Sequence, residues 1–226
     1  MQAESFGYKN AWFAAHNVAP DAVAKALSLR NVRGCKWTDG VTAAYEYPIA
    51  CSVFIAPAID DWVISVGFPF FALADARPPV FGLRAAELAG ALQTEVQYFA
   101  THRVVEAHAW ARAYPGGLER AYLFVGESAE KVLDFGAQTT EEQALGFAFF
   151  DPSSSAAETE GYWERDDLAN VGEEHVMMLA ARWSVDPSAL TDRNVEVGNG
   201  LVGEFGEPIA APPPRPPTRK PWWKVW

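Results

Sequence analysis

The sequence lacks long apolar runs and is short of cations, and each shortage excludes a class of protein. No apolar run approaches the ~18 residues that a transmembrane helix needs. Its 18 Lys and Arg residues stand against 29 Asp and Glu residues, for a formal net charge of −11 at pH 7. Nucleic-acid binders present clustered cations to phosphates, so this balance argues against direct nucleic-acid binding. We therefore expect neither a membrane nor a nucleic acid as the partner.

Cysteine is also scarce, with only Cys35 and Cys51 in the chain. A disulfide needs Cα atoms within about 7 Å, which the sequence does not establish, and we expect two buried thiols in a reducing compartment. The first residues carry an acid at Glu4, and their short apolar stretch is broken by His16 and Asn17, unlike a secretory signal. These features predict a cytoplasmic protein.

Recognisable catalytic and metal-binding motifs are missing. The sequence has no Walker loop, no H-E-x-x-H, no C-x-x-C and no EF-hand loop. Residues Gly126–Glu130 differ from a G-x-S-x-G nucleophile elbow because Glu ends the stretch. Residues Gly198–Gly203 match G-x-G-x-x-G, but proline-rich sequence follows where a dinucleotide site needs a helix, so we interpret them as a turn leaving the fold. We predict no cofactor, no bound metal and no catalytic residue.

Apolar and aromatic side chains are plentiful, with half of the residues hydrophobic and nine tryptophans. This content supports one folded domain, which we place at residues 1–206. Residues 207–226 differ, because Pro208–Trp226 contains seven of the 16 prolines and four cations but no acid. Dense proline excludes helices and sheet ladders, so we predict an extended arm. The arm is either a mobile tail or a docking segment anchored by Trp222, Trp223 and Trp226.

Hydrophobic periodicity predicts most of the secondary structure. Helices are expected at Pro20–Leu29, Leu83–Gln93 and Glu173–Trp183, and after a capping box formed by Thr139 and Glu142. Runs of β-branched and aromatic residues bounded by turn residues predict strands at Val41–Tyr47, Cys51–Ala56 and Trp62–Val66.

The middle of the chain predicts an antiparallel meander of three strands, Val96–Arg103, Ala107–Tyr114 and Leu118–Val125. The second strand alternates strictly, with alanines on one face and a polar and aromatic set on the other: His108, Trp110, Arg112 and Tyr114. Placing Tyr114 opposite Leu118 puts Trp110 opposite Tyr122 and His108 opposite Phe124. The alanine face admits a closely packed helix. The predicted fold is α+β, with a mainly antiparallel sheet around residues 96–125 covered on one face by helices.

Two histidines flank the first hairpin of this meander. His102 and His108 would be cross-strand neighbours in a tight hairpin, and two imidazoles can begin a metal site. No third or fourth ligand stands at a recognisable spacing, so structural histidines are the simpler interpretation. With Arg112 they also define the place where an unrecognised enzyme would have its site.

The strongest charge signal is the acidic segment, Glu158–Glu174, which has seven acids against the single cation Arg165. It is either a solvated surface or a binding surface for a basic protein, on which carboxylates steer association and aromatic side chains anchor it. The predicted contact residues are Glu158, Glu160, Tyr162, Trp163, Glu164, Asp166, Asp167, Glu173 and Glu174.

Three blocks, Val96–Ala113, Arg120–Ser128 and Glu173–Leu190, together with the ending RKPWWKVW, resemble a group of bacterial proteins found near secreted polymorphic toxins. The resemblance implies a cytoplasmic immunity protein, of the kind paired with type VI secretion effectors, that binds its toxin and blocks the active site. It carries over no catalytic or binding residue. Because nuclease clefts are basic, an acidic body fits a nuclease domain as the partner.

Two other functions stay open on the sequence. An effector chaperone or adaptor would dock through the arm at Pro208–Trp226. An unrecognised enzyme would have its site near His102 and His108.

Overall fold

One antiparallel sheet of nine strands organises residues 1–45 and 51–206, the part of the chain that the computed structural model describes. In chain order the strands are β1 (Asn10–His16), β2 (Arg30–Cys35), β3 (Ser52–Ile55), β4 (Trp62–Val66), β5 (Val96–His102), β6 (Ala107–Tyr114), β7 (Gly117–Val125), β8 (Glu130–Phe135) and β9 (Gly200–Glu204). Their order across the sheet is β2-β9-β3-β4-β1-β5-β6-β7-β8. The predicted arm, with Trp222, Trp223 and Trp226, lies outside the described residues.

Helices cover both faces of this sheet, whereas the sequence pattern predicted one covered face. They are α1 (Pro20–Ala26), α2 (Trp37–Tyr45), α3 (Phe71–Asp75), α4 (Phe81–Leu92), α5 (Thr140–Ala144), α6 (Glu173–Trp183) and α7 (Leu190–Arg193). One core cluster joins α1, α3 and α4 to the sheet, and the other joins α2 and α6 to its opposite face. Strand β1 contributes to both, with Phe13 in the first cluster and Trp12 in the second. The fold is α+β, as predicted.

The predicted meander is confirmed as β5, β6 and β7. Trp110 lies opposite Tyr122, as expected, and their rings stack with centroids 4.4 Å apart. His108 lies opposite Phe124, also as expected. The predicted pairing of Tyr114 with Leu118 is wrong, because an irregularity in register after Arg112 places Tyr114 opposite Gly117.

The alanine face of β6 receives α4, as its small side chains predicted. Ala109, Ala111 and Ala113 are fully buried in the same cluster as Phe81 and Ala85 of this helix. The approach is close enough that a Cβ at Gly82 of α4 would lie 3.2 Å from the Cβ of Ala121.

Two predicted elements are corrected. The strand expected at Val41–Tyr47 is wrong for its described part, because residues through Tyr45 belong to α2 and residues 46–50 lie outside the described chain. Trp37, Val41 and Ala44 follow the i, i+4, i+7 spacing of a helix face, and this face packs on the sheet.

The turn expected at Gly198–Gly203 is instead largely β9, an inner strand paired with β2 and β3.

A buried ion pair lies on the far side of the meander from α4. Arg120 is 2% exposed and Glu142 is fully buried, and the Arg120 Nε atom donates to Glu142 Oε1 at 3.0 Å. The Trp110 indole donates to the same oxygen at 2.9 Å. Glu142 Oε2 accepts from the backbone N–H of Thr139 at 2.8 Å, which completes the predicted capping box of α5. One carboxylate thus joins two strands to a helix start.

Cys51 is buried as expected, but the expectation is wrong for Cys35, which is half-buried, and no disulfide joins the two. Among the described residues, no helix combines the length and apolar character that crossing a bilayer requires.

Replacing Glu142 with Gln tests the buried ion pair. The amide keeps the size of the side chain, and its single oxygen can still accept from the Thr139 backbone. Its NH2 group then faces the N–H donors of Trp110 and Arg120, and the Arg120 charge has less compensation in the interior. We expect the free energy of unfolding to fall by roughly 3 kcal/mol in urea titrations. The control Glu87→Gln breaks the exposed pair with Arg84 and should cost less than about 1 kcal/mol. Equal losses in the two variants would contradict this role.

Replacing Gly200 with Ala tests the close packing of β9. The added Cβ would lie 2.3 Å from Cε2 of Phe54 and 2.6 Å from the carbonyl oxygen of Ile55. We expect a loss of about 1–3 kcal/mol in unfolding free energy, because the backbone has to move. Gly90→Ala in α4 meets nothing within 4 Å and should stabilise by about 0.5–1 kcal/mol through helix propensity. A Gly200→Ala protein as stable as Gly90→Ala would disprove the contact.

Candidate functional site

A cleft of about 410 Å³ lies where the turns of the meander meet the acidic segment and the start of α6. The meander supplies strand and turn residues on one side, and the chain before α6 supplies the other side. The lining includes Arg103, Glu106, His108, Phe124, Gly126, Phe150, Trp163 and Glu173. Five separate stretches of sequence therefore build one concave site.

Hydrogen bonds close the base of the loop that carries most of the acidic segment. The backbone N–H of Phe150 donates to the carbonyl of Ala169 at 3.1 Å, and the N–H of Ala169 donates to the carbonyl of Ala148 at 2.9 Å. Lys131 on β8 also reaches the Asp151 carboxylate at 2.5 Å. These contacts attach the loop to the sheet, so its side chains project from an ordered backbone.

The two aromatic residues of the acidic segment have different positions. Tyr162 is only 6% exposed, and its hydroxyl accepts from the backbone N–H of Asp151 at 2.7 Å. Trp163 is 53% exposed, stacks on Phe150 with centroids 5.4 Å apart, and donates from its indole to the Ala157 carbonyl at 3.1 Å. Tyr162 therefore supports the loop from inside, and Trp163 presents a fixed aromatic surface.

Most carboxylates of the acidic segment face solvent. Asp167 pairs with Arg165 at 2.5 Å, and Glu174 lies 3.3 Å from Nδ1 of His175. Within the described chain, four exposed members have no ion-pair partner: Glu158, Glu160, Glu164 and Asp166. Glu173 differs because it is half-buried and lines the cleft. The structure thus places unneutralised negative charge beside Trp163.

His108 is the buried titratable group of the cleft, with 3% exposure. Its Nδ1 atom lies 3.1 Å from the hydroxyl oxygen of Thr101. Burial lowers the pKa of His108 to about 4; the Glu174 charge opposes this shift and His175 adds to it. The imidazole is therefore neutral at pH 7 and can offer a nitrogen lone pair as well as an N–H group.

His102 and Arg112 do not join His108 in the cleft. In the register of β5 and β6, His108 pairs with Thr101 and His102 pairs with Ala107, so the two histidines lie on opposite faces of the sheet. The expected neighbouring pair is wrong. His102 packs against Phe71 and lines a separate cavity of about 210 Å³. Arg112 pairs with Glu119 and Glu141 away from the cleft.

Glu106 and Phe150 also line this site, although the sequence did not predict either as a site residue. Glu106 occupies the hairpin turn with a φ of 49°, and its carboxylate covers Gly126, where an added Cβ would lie 2.3 Å from Oε2. Phe150 supplies the ring under Trp163. The turn between β5 and β6 was visible in the sequence, but no local signal places Glu106 or Phe150 beside the acidic segment.

No group of three or more His, Cys, Asp or Glu side chains in the described ranges is arranged to hold a metal ion. Comparison with protein-family models, with curated proteins and with solved structures found no match. The site is therefore interpreted from its own geometry as an acidic cleft with a fixed aromatic residue at one side.

The low pKa of His108 makes stability depend on pH. The unfolded chain protonates this histidine near pH 6.5 and the folded chain near 4, so stability falls as the pH drops through this window. Between pH 7 and pH 5, His108 should account for a loss on the order of 2 kcal/mol in unfolding free energy. His108→Gln should lack this part of the loss. Denaturant titrations at both pH values test it, and equal pH dependence in the two proteins would refute it.

Proposed function

We propose that this protein is a non-catalytic inhibitor that binds a basic toxin domain in the cytoplasm, with a nuclease effector as the expected partner. The observation that carries the proposal is Trp163, a half-exposed tryptophan fixed among carboxylates that have no ion-pair partner in the described chain. The sequence resemblance to immunity proteins supports the same kind of partner.

Trp163 has the properties of an interface anchor. Tryptophan is enriched among the residues that contribute most to binding energy, because it buries a large surface against a partner. Its stacking on Phe150 and its hydrogen bond to Ala157 hold the ring before any partner arrives. A side chain that is already ordered loses less conformational entropy on binding, which favours affinity.

The carboxylates around Trp163 account for the selectivity toward a basic partner and for the rate of association. Glu160, Glu164 and Asp166 extend a negative field around Trp163, and Arg165 is already paired with Asp167. Complementary charges speed the encounter of two proteins and orient them, and salt weakens the effect. A nuclease cleft, which is basic because it binds polyphosphate, provides the matching surface.

One observation favours an enzyme as the second candidate, since the neutral His108 and the Glu173 carboxylate line the same cleft. A histidine with a pKa of about 4 is a weak general base at pH 7, and no nucleophile stands in a recognised motif. Binding is therefore the better supported role. An adaptor function through Pro208–Trp226 depends on residues outside the described chain.

Capture of partners from a lysate of the source cells by the full chain tests the proposal, with the captured protein then co-expressed to measure rescue of growth. We expect one basic toxin domain and a 1:1 complex without turnover. Trp163→Ala should raise the Kd by roughly 30-fold, the effect of losing an anchor worth about 2 kcal/mol. Phe135→Ala, a similarly exposed aromatic on β8, serves as the control and should change the Kd little.

Charge reversal tests the steering component. The triple variant Glu160→Lys, Glu164→Lys and Asp166→Lys should lower the association rate at low salt by about tenfold or more. The matched control reverses three exposed acids that lie outside the acidic segment: Asp39, Asp192 and Glu196. If both triple variants lowered the association rate equally, net charge would be the cause, and steering by the acidic segment would be contradicted. Loss of binding only on deletion of Pro208–Trp226 would instead establish the adaptor function.

A further inference from the structure

The cleft contains a buried polar atom that the described chain leaves without a partner, Glu173 Oε1. His108 also lines the cleft, and its Nδ1 atom lies 3.1 Å from the Thr101 hydroxyl, so Nε2 is the second ring nitrogen that can contact a ligand. A buried acceptor without a donor costs free energy, so a ligand that supplies N–H groups here gains by satisfying it.

The apolar part of the cleft is aromatic. Phe124, Phe150 and Trp163 line it, and Trp163 presents more than half of its surface to solvent. Flat rings beside carboxylates favour a planar cation, because such a group stacks on the ring face while its edge donates hydrogen bonds.

The charges around the cleft favour a cation over an anion. Glu106 and Glu173 line it together with one cation, the exposed Arg103. The start of α6 would attract an anion, but Glu173 and Glu174 occupy its first turn and oppose one. His108 carries no charge at pH 7 and adds no repulsion toward a cation.

From this arrangement we infer that the cleft is a pocket for an arginine side chain of the basic partner, an inference that rests on the proposed function. The guanidinium stacks against Trp163, donates to the Glu173 carboxylate, and reaches the neutral His108 with a further N–H. Lysine lacks the planar face and the paired donors and so binds less well. Arginine is also common among the dominant residues of protein interfaces.

A short peptide, acetyl-Gly-Arg-Gly-amide, tests this pocket on the full chain by NMR. The Trp163 indole resonance is assigned by comparison with Trp163→Phe, and peptide is added until its shift saturates. We expect the arginine peptide to move the Trp163 and His108 resonances. The citrulline peptide, which has nearly the same shape without the charge, should bind at least about tenfold more weakly than the arginine peptide.

Variants of two neighbouring glutamates distinguish a local contact with the peptide from an effect of net charge. Glu173→Gln should weaken binding of the arginine peptide about tenfold, since a charged hydrogen-bonded pair is lost. Glu174→Gln removes the same charge from a residue that is exposed and does not line the cleft, and it should leave the affinity within about twofold. Equal affinity for the citrulline peptide, or equal effects of the two variants, would overturn the pocket.

The outcome also distinguishes this inference from the proposed function. If a basic toxin domain binds the full chain, and Glu173→Gln leaves both that affinity and the peptide shifts unchanged, the inhibitor stands and the arginine pocket fails. If the peptide binds as expected and no toxin domain is captured, the pocket stands and the inhibitor fails.

Discussion

The buried pair of Arg120 and Glu142 is the interaction on which the site-bearing half of the molecule depends. Glu142 accepts from the Trp110 indole and the Thr139 backbone as well as from Arg120, so one carboxylate joins β6, β7 and α5. Arg120 also donates to Asp134 on β8 at 2.6 Å. Burying two charges away from solvent costs free energy unless each charge is paired and hydrogen bonded. This requirement restricts how the chain after β8 can pack.

The same chain of charges extends to the candidate site. Lys131 lies 3.5 Å from Asp134 and 2.5 Å from Asp151, so ionic contacts run from the buried core to the base of the loop that carries the acidic segment. Backbone hydrogen bonds at Phe150 and Ala169 then close this loop. The unpaired carboxylates and Trp163 project from it. Lys131 thus neutralises charge at the base of the loop, whereas Glu158, Glu160, Glu164 and Asp166 at its exposed end have no ion-pair partner in the described chain.

Sequence patterns predicted the meander and most helices because their signals are local. The alternation of β6 set the faces of Trp110 and the alanines, and Thr139 with Glu142 predicted the capping box that the structure confirms. The patterns failed where tertiary packing decides. Residues up to Tyr45 favoured a strand by composition but form a helix whose Trp37 is buried, and a glycine-rich stretch became β9 because Gly200 fits under Phe54.

By itself the sequence determined the α+β class, the alternation of the central strand and the concentration of acids around Trp163, because each follows from spacing along the chain. The tertiary structure decided which of those residues share a site. A shift of one residue in pairing moves a side chain to the other face of a sheet, and this separated His102 from His108. Long-range packing brought Glu106, His108 and Glu173 to one cleft. It also buried Tyr162 and left Trp163 exposed, although the two are adjacent in sequence.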